Sequence, residues 1–374
     1  MIEPRLRFKA DDGSDFPDWE EKRLEDVVEF LDEKRKPLEA GKRVAGKYPY
    51  YGASGIIDYV EDYIFDEELI LLSEDGANIL DRNYRVCFLA KGKYWVNNHA
   101  HVMKAKKGNL NYFICEELET FDYRKYNSGG AQPKLNQASC RSIVVKIPSL
   151  PEQQKIADFL STIDTIIEKQ RATVSAWEER KKGVMQKLFS QEVRFKADDG
   201  SDFPDWEEKE VKDVCSVSTG KSNTQDKVDS GKYEFYVRSP IVEHSDKYLF
   251  DEEAVITVGD GVGTGKVFHY VNGKYNLHQR CYRMYDFMGV IGKYFFYFFS
   301  QNFYRRIKAM SAKTSVDSVR MEMITKMKMN VPSLPEQQKI ADCLSALDTV
   351  IEKQKETLEK WQELKKGLLQ QMFV

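Results

Sequence analysis

The sequence lacks any long apolar run. Its longest stretch is six aromatic residues at 294–299, whereas a membrane-spanning helix needs about 20 apolar residues. We interpret this stretch as the buried face of a helix. The first residues lack the apolar core of a secretion signal,. The six cysteines include no Cys-x-x-Cys pair, which is typical of reduced thiols rather than a zinc site or a disulfide scaffold. We therefore expect a cytoplasmic protein without a membrane segment.

Catalytic motifs are also missing. Residues 259–267 resemble a phosphate loop, but Asp260 and Val267 stand where such a loop needs Gly and Ser or Thr,. We interpret this segment as a connection between two strands. There is no His-Glu-x-x-His, the five histidines lack metal-ligand spacing,, and no Asn/Asp-Pro-Pro-Tyr/Phe motif of an adenine methyltransferase occurs. We expect no catalytic residue, no metal and no cofactor.

An internal repeat is the main feature that is present. Residues 7–22 recur without change at 194–209, and residues 148–158 recur without change at 332–342. Each copy therefore has an opening segment, a middle region and a closing segment. Such a repeat indicates one fold that is used twice.

The two middle regions have diverged but remain related. Residues 63–68 align with 248–253, and Asp75 aligns with Asp260, at an offset of 185. Later matches, such as Met103 with Met284, have an offset of 181, so a loop is four residues shorter in the second copy. Short β-branched and aromatic runs that lead into glycine-rich turns predict mixed α/β structure.

Each closing segment opens a helical pattern of about 40 residues, with apolar residues at alternating spacings of four and three. The first seam contains Ile156, Leu160, Ile163, Ile167, Val174, Trp177, Val184 and Leu188. The second contains Ile340, Leu344, Leu347, Ile351, Leu358, Trp361, Leu368 and Met372. The polar seam positions are Gln170 and Lys181 in the first helix and Gln354 and Lys365 in the second.

Helices of this length are about 60 Å long, and neither can leave such a seam exposed to water. We predict that they pack on each other as an antiparallel coiled coil related by an internal pseudo-twofold axis. Packing against the helices of another chain is the alternative.

Charge is unevenly distributed, although the net charge is only −3. Residues 24–90 carry a net charge of −7 and residues 91–146 carry +6. In the second copy, residues 210–265 carry −5 and residues 266–328 carry +9. A basic half in each copy is what contact with nucleic-acid phosphates requires.

Side chains that can read base edges lie within these basic halves, since Asn and Gln suit adenine and Arg suits guanine. In the first copy, the DNA-binding candidates are Asn97, Asn98, His99, His101, Lys104, Lys106, Lys107, Gln132, Lys134 and Asn136. In the second copy, they are Lys266, His278, Gln279, Arg280, Arg283, Lys313 and Arg320.

The predicted fold class is α+β, with two globular mixed α/β recognition domains separated by two long helices. The predicted boundaries are 1–147 for the first recognition domain, 148–193 for the first helix, 194–331 for the second recognition domain and 332–374 for the second helix.

These features resemble the specificity subunits of type I restriction-modification enzymes. The resemblance rests on the repeated Pro-Ser-Leu-Pro-Glu-Gln-Gln-Lys-Ile-Ala-Asp segments, on the repeated Phe-Pro-Asp-Trp at 16–19 and 203–206, and on the glycine-rich segment 128–136. The second copy departs from the last pattern, because it carries Ser-Ala-Lys-Thr-Ser at 311–315 instead.

The resemblance implies that each domain reads one half of a split DNA target and that the helices set the gap. It also implies that the helices dock two methyltransferase subunits and that restriction/translocase subunits join the complex. Two alternatives remain. A free-standing DNA-binding regulator would need no partner subunits, and a structural coiled-coil adaptor would show no salt-dependent binding to duplex DNA.

Overall fold

The computed structural model describes residues 4–261, 263–310 and 318–373. The chain divides into two compact units. The first consists of Met1–Arg171 and Glu356–Val374, and the second of Ala172–Lys355. Both divisions fall inside long helices, so each unit contains one half of each helix.

The first unit is mixed α/β. Its strands are β1 (Glu20–Arg23), β2 (Val28–Phe30), β3 (Ala45–Gly52), β4 (Gly55–Val60), β5 (Phe65–Asp66), β6 (Leu69–Ser73), β7 (Cys87–Ala90), β8 (Lys93–Val96), β9 (Ala100–Ala105) and β10 (Val144–Ile147). Its helices are α1 (Leu24–Val27), α2 (Asn78–Asp81), α3 (Asn111–Thr120), α4 (Gln137–Arg141) and the start of α5 (Leu150–Phe189).

The second unit repeats this plan. Its strands are β11 (Glu207–Glu210), β12 (Ser216–Thr219), β13 (Tyr233–Tyr236), β14 (Glu243–Ser245), β15 (Phe250–Val258), β16 (Phe268–Leu277), β17 (Cys281–Tyr285) and β18 (Lys328–Val331). Its helices are α6 (Gly292–Met310), α7 (Met321–Thr325) and the start of α8 (Leu334–Phe373).

The larger sheets of the two units differ, because strands that are separate in the first unit are continuous in the second. The first unit has two four-stranded sheets, in the orders β2-β9-β6-β7 and β4-β3-β8-β5, whereas the second has one six-stranded sheet, in the order β12-β17-β15-β16-β13-β14. Strand β15 occupies the positions of β5 and β6 together, and β16 those of β7 and β8 together. The connection after β6 is four residues longer than the one after β15, which confirms the predicted loop difference.

Helix α6 shows how the fold accommodates the aromatic run at 294–299. Tyr294, Phe295 and Phe299 are fully buried, and the rings of Phe295 and Phe299 stack at 5.5 Å. Residues four apart lie on the same face of a helix. The prediction of a buried aromatic face is therefore confirmed.

The two long helices pack on each other in opposite directions, as predicted. In the first unit, the start of α5 lies in the same core cluster as Met372 and Phe373 at the end of α8. In the second unit, Leu188 at the end of α5 clusters with Ile340 and Leu344 at the start of α8. Burying a leucine or isoleucine side chain stabilises a fold by about 1.5–3 kcal/mol, so the seam holds the pair together.

A Tyr-Asp-Lys cluster fastens each globular part to these helices. In the first unit, Asp164 of α5 accepts hydrogen bonds from Tyr112 at 2.5 Å and from Lys365 of α8 at 2.6 Å. In the second unit, Asp348 of α8 accepts from Tyr297 at 2.6 Å and also from Lys181 of α5. The polar seam lysines thus neutralise aspartates on the partner helix, which explains how the seam tolerates them.

The repeated opening segments are tied to the first turns of the long helices. Arg7 donates two hydrogen bonds to the fully buried Glu152 of α5, at 3.0 and 2.9 Å. Arg194 binds Glu336 of α8 in the same bidentate way, at 3.0 and 2.8 Å. A buried carboxylate needs such a partner, since an isolated buried charge is costly.

Candidate nucleic-acid interface

Three connecting segments of the first unit meet at one end of the sheet that contains β6 and β9. They are residues 74–77 after β6, residues 97–99 between β8 and β9, and residues 127–136 before α4. The amide of Glu74 donates to the carbonyl of His99 at 2.9 Å, and the amide of Leu135 donates to the carbonyl of Glu74 at 2.7 Å. Adjacent strands place their ends side by side, which is why segments distant in sequence converge here.

His99 is an exposed side chain whose position this arrangement fixes. Its Nδ1 lies 2.8 Å from a carboxylate oxygen of Asp75, and its backbone amide donates to Oδ1 of Asn97 at 2.8 Å. Half of the His99 side chain is exposed. Lys134 lies at the same edge, where its backbone bridges to Asp75 and its ammonium group lies 3.3 Å from Glu74.

A buried network of hydrogen bonds around His101 and Asp32 underlies this edge of the sheet. Nδ1 of His101 lies 2.7 Å from Asp32, and Nε2 lies 2.8 Å from the carbonyl oxygen of Leu135. Asp32 also accepts hydrogen bonds from the amide of Val102 at 2.8 Å and from Gln137 at 2.9 Å. Both ring nitrogens of His101 thus face acceptors, which suits the doubly protonated imidazolium.

The pKa of His101 reflects these contacts. Burial by itself lowers the pKa, but the hydrogen bonds and charge interactions with Asp32 and Cys140 together outweigh burial and raise the pKa to about 10. The ring is therefore charged at neutral pH and links residue 32 to the segment before α4.

The backbone hydrogen bonds that join these segments recur in the second unit, and we call this shared arrangement the backbone frame. The amide of His278 donates to the carbonyl of Tyr236 at 3.0 Å, as the amide of Asn97 does to the carbonyl of Tyr51 at 3.0 Å. The amide of Val319 donates to the carbonyl of Gly259 at 2.7 Å, which repeats the bond between residues 135 and 74. Asp260 therefore occupies the position of Asp75.

The side chains on this second frame differ from those on the first. Asp260 accepts hydrogen bonds from Arg238 at 3.0 Å and from Arg280 at 2.5 Å. Burial tends to raise the pKa of the Asp260 carboxyl, but the hydrogen bonds from Arg280 and Arg238 prevail and hold this pKa below its ordinary value. Arg280 stands where the first unit has His99, and Arg238 stands where it has Ala53.

The structure leaves most of the predicted DNA-binding residues accessible. The exposed candidates are Asn98, His99, Lys104, Lys106, Lys107, Gln132, Lys134, Lys266, Gln279, Arg280 and Arg320, and Asn136 is half-buried. Lys313 lies outside the described residues.

Four of the predicted DNA-binding residues are buried in this structure. They are Asn97, His101, His278 and Arg283. Asn97 and His278 accept hydrogen bonds from the backbone amides of His99 and Arg280. The side chains of Asn97 and His278 therefore hold the turns that carry the exposed residues His99 and Arg280.

Arg283 is enclosed in the sheet of the second unit. Its guanidinium is paired with Glu252 and lies 3.6 Å from the centroid of the Tyr285 ring. The pair and the aromatic contact explain how the charge is tolerated under the surface.

The lysines near the end of β9 are separated from His99. Five residues of strand at about 3.3 Å each put Lys104 roughly 17 Å away. Lys104 pairs with Glu67 at 2.6 Å, and the ammonium group of Lys106 donates to the carbonyl of Glu25 at 2.7 Å. Lys107 follows them along the chain. These three residues do not form one cluster with His99.

Charge is less segregated in space than along the sequence. In the first unit, Lys91, Lys104 and Lys134 of the basic half pair with Glu68, Glu67 and Glu74 of the acidic half. In the second, Arg280 pairs with Asp260. Folding therefore neutralises part of the charge that the sequence count assigns to the basic halves.

Sequence reasoning missed the acidic residues that organise both edges. Asp75 and Asp260 were visible as equivalent positions at the offset of 185, but only the fold shows that they hold the exposed basic side chains. Arg238 lies in the acidic half of its copy and carried no comparable signal.

None of the helices in the described ranges combines the length and apolar character that a membrane span requires. Within the same ranges, no three His, Cys, Asp or Glu side chains are grouped so that they could hold a metal ion.

The comparisons with known proteins agree on one family. The family model for the type I restriction modification DNA specificity domain matches residues 17–174 and 204–360. The chain is 36% identical over 145 residues to a putative type I restriction enzyme specificity subunit of Haemophilus influenzae, an alignment that covers 39% of this chain and 37% of that protein. It is 25% identical over 397 residues to a type I restriction enzyme specificity subunit of Methanocaldococcus jannaschii, covering 94% of this chain and 92% of that one.

A solved structure has a similar fold. The S subunit of a type I restriction-modification system from M. genitalium superposes with a TM-score of 0.65 at 14% identity, covering 100% of this chain and 99% of that chain. The repeat, the paired long helices and the mixed α/β domains agree with this similarity.

Proposed function

The chain belongs to the family of type I restriction modification DNA specificity domains, and on this premise we propose that it is the DNA-recognition subunit of a type I restriction-modification complex. Each recognition domain reads one half of a bipartite, asymmetric target. The chain itself makes and breaks no bonds. It acts in the cytoplasm with two methyltransferase subunits and with restriction/translocase subunits.

The observation that carries this proposal is the repeated backbone frame with different exposed side chains. Both frames hold an aspartate, but the basic side chain beside it is His99 in the first unit and Arg280 in the second. Base edges are distinguished by the donors and acceptors that a protein presents. Two domains with one frame and different exposed groups would therefore read two different half-sites.

The residues that we propose as contacts at each edge are exposed, apart from the half-buried Asn136. In the first domain, they are Asn98, His99, Gln132, Lys134 and Asn136. In the second domain, they are Lys266, Gln279, Arg280 and Arg320. Lys104, Lys106 and Lys107 remain predicted phosphate contacts away from the first edge, and Lys313 remains a predicted contact of the second domain.

The two long helices set the spacing and dock the methyltransferase subunits in this proposal. Each helix is 40 residues long. A stiff connection gives the second domain a high effective concentration near its half-site once the first domain is bound. Two moderate affinities thus combine into one specific affinity.

A domain exchange tests the proposal. Residues 24–146 are replaced by the matching region of another specificity subunit, and adenine methylation is mapped in cells that also express the neighbouring methyltransferase genes. The expected result is a change in one half of the methylated target, with the other half and the spacer retained. Exchange of residues 210–328 is the matched control and should change only the other half.

Two outcomes would contradict the proposal. A change in both halves after a single exchange would refute modular reading. A chain that binds DNA but does not copurify with the methyltransferase subunits would instead support a free-standing regulator.

A further inference from the structure

Asp260 lies between two arginines that come from different segments of the second unit. Arg238 follows β13, and Arg280 lies in the connection between β16 and β17. Each donates to one carboxylate oxygen of Asp260. The carboxylate is only 20% exposed, whereas the side chains of Arg238 and Arg280 are 45% and 60% exposed. The two guanidinium groups are therefore exposed to solvent, whereas the carboxylate that binds them is largely buried.

The backbone beneath Arg280 is held firmly. Its amide donates to Nδ1 of His278 at 3.1 Å, and its carbonyl accepts from the amide of Gly259 at 2.8 Å. A Cβ atom at Gly259 would lie 2.6 Å from the carbonyl oxygen of Arg280, so a larger residue at this position would require the local backbone to shift. The position of Arg280 is thus fixed by the backbone as well as by Asp260.

A guanidinium group held in this way suits the recognition of guanine. It has five N–H donors in a rigid plane, and the bond to Asp260 involves Nη1. Donors on the remaining nitrogens can pair with O6 and N7 of a guanine in the major groove. Holding the side chain in advance reduces the conformational entropy that binding would otherwise cost.

The first unit offers different chemistry at the same place. Asp75 binds a single imidazole from His99, and Ala53 stands where the second unit has Arg238. The fork of guanidinium donors is therefore a property of the second domain alone, although the backbone frame is shared.

We propose that Arg280 reads a guanine in the half-site of the second recognition domain and that Asp260 positions it. This inference rests on the proposed function and adds one base and one residue pair to it. Arg238 pairs with the same carboxylate, so the cluster keeps a net positive charge, because one carboxylate faces two guanidinium groups.

The test uses the complete complex of this chain with its methyltransferase subunits. The target is first mapped with the wild-type complex, and binding and methylation are then measured on duplexes with each base in turn at every position of the second half-site. Arg280→Ala should reduce discrimination at one guanine by roughly five- to a hundred-fold. Arg280→Lys, which keeps the charge but loses the planar fork, should lose most of the same discrimination.

Three further variants separate reading from positioning and from general binding. Asp260→Asn keeps an acceptor for Arg280, so it should retain more of the guanine preference than Asp260→Ala. His99→Ala in the first domain is the matched control and should leave discrimination in the second half-site unchanged. Thermal unfolding of each complex shows whether a variant is folded.

The outcomes are distinct. A second half-site without guanine, or Arg280 variants that weaken binding equally at every base, would overturn the inference. In both cases the wild-type complex would still methylate a bipartite target. Absence of any bipartite target for the wild-type complex would instead refute the proposed function.

Discussion

Nζ of Lys365 lies 2.6 Å from Oδ1 of Asp164, which joins the end of α8 to the start of α5 in the first unit. The same Lys-Asp contact recurs in the second unit between Lys181 and Asp348. In both contacts the lysine and the aspartate belong to opposite helices. The repeated contact therefore favours one register of the helix pair, because a shift of either helix would separate both pairs.

The surroundings of the two lysines differ, so we predict unequal effects of replacing them. Lys365 is 8% exposed and also lies 3.1 Å from the buried Glu116, whereas Lys181 is 20% exposed. Lys365→Met should cost about 2 kcal/mol, because the buried Glu116 loses one of its two cationic partners and keeps only Arg85,. Lys181→Met should cost about 1 kcal/mol, since its partner is more than a third exposed,. Urea unfolding of the two variants checks this, and equal losses would contradict the prediction.

A pH prediction follows from His101. Its pKa in the folded protein is about 10, above the ordinary value of 6.5. Protonation therefore stabilises the fold fully below about pH 6.5, and this contribution is lost as the pH rises towards 10. His101→Gln should lower stability at pH 6.5 by an amount on the order of a few kcal/mol and should flatten the decline between pH 6.5 and 10.

The measurement for His101 is the difference in urea midpoint between the wild-type and variant chains at pH 6.5, 8 and 10. Groups that titrate in both chains cancel in this difference. His244→Gln, at an exposed position, is the control and should give a constant difference. A constant difference for His101→Gln as well would show that its charge does not support the fold.

The Arg7–Glu152 contact predicts a non-additive pair of substitutions. Arg7→Met should cost about 3 kcal/mol, because the fully buried Glu152 loses its guanidinium partner,. Adding Glu152→Gln should restore part of this loss, since the buried charge is then removed. Urea unfolding of the single and double variants gives the coupling, and a double variant less stable than Arg7→Met would contradict the prediction.

The second unit provides the matched comparison for this pair. There Glu336 also accepts a hydrogen bond from Nε1 of Trp206 at 3.0 Å, whereas Nε1 of Trp19 has no such partner. We expect Arg194→Met to cost less than Arg7→Met. Limited proteolysis of the two opening segments should show the same order of sensitivity.

We expect the length of the long helices to determine the spacer length of the DNA target. Deletion of residues 169–175 and 353–359, which are equivalent positions in the two copies, shortens each helix by about 10 Å and keeps the seven-residue phase. We expect a changed spacer length or a loss of methylation. Methylation mapping checks this outcome, and full activity on the original target would count against a role of the helices in spacing.

Much of the fold could be predicted because the relevant signals are local or repeated. The spacing of residues such as Ile156 and Leu160 defines one helix face whatever its partner is, and both are buried as predicted. The identity of residues 148–158 with 332–342 required two equivalent helices. The four-residue loop difference followed from two alignment offsets.

The candidate interface was predictable only in part. His99 and Arg280 were identified from residue type and local charge, and both are exposed. Asn97 and His278 were identified for the same reason, yet both are buried. Residue type does not determine which of two neighbours in a turn faces water, since that depends on how the turn packs.

The sequence alone determined that one fold occurs twice and that two amphipathic helices must cover each other, because periodicity and self-identity can be read along a single chain. Only the tertiary structure decided that Asp260 lies between Arg238 and Arg280 and that His101 links Asp32 to Leu135. Strand pairing and close packing join residues that are 20 or more positions apart, and no spacing rule along the chain encodes such contacts.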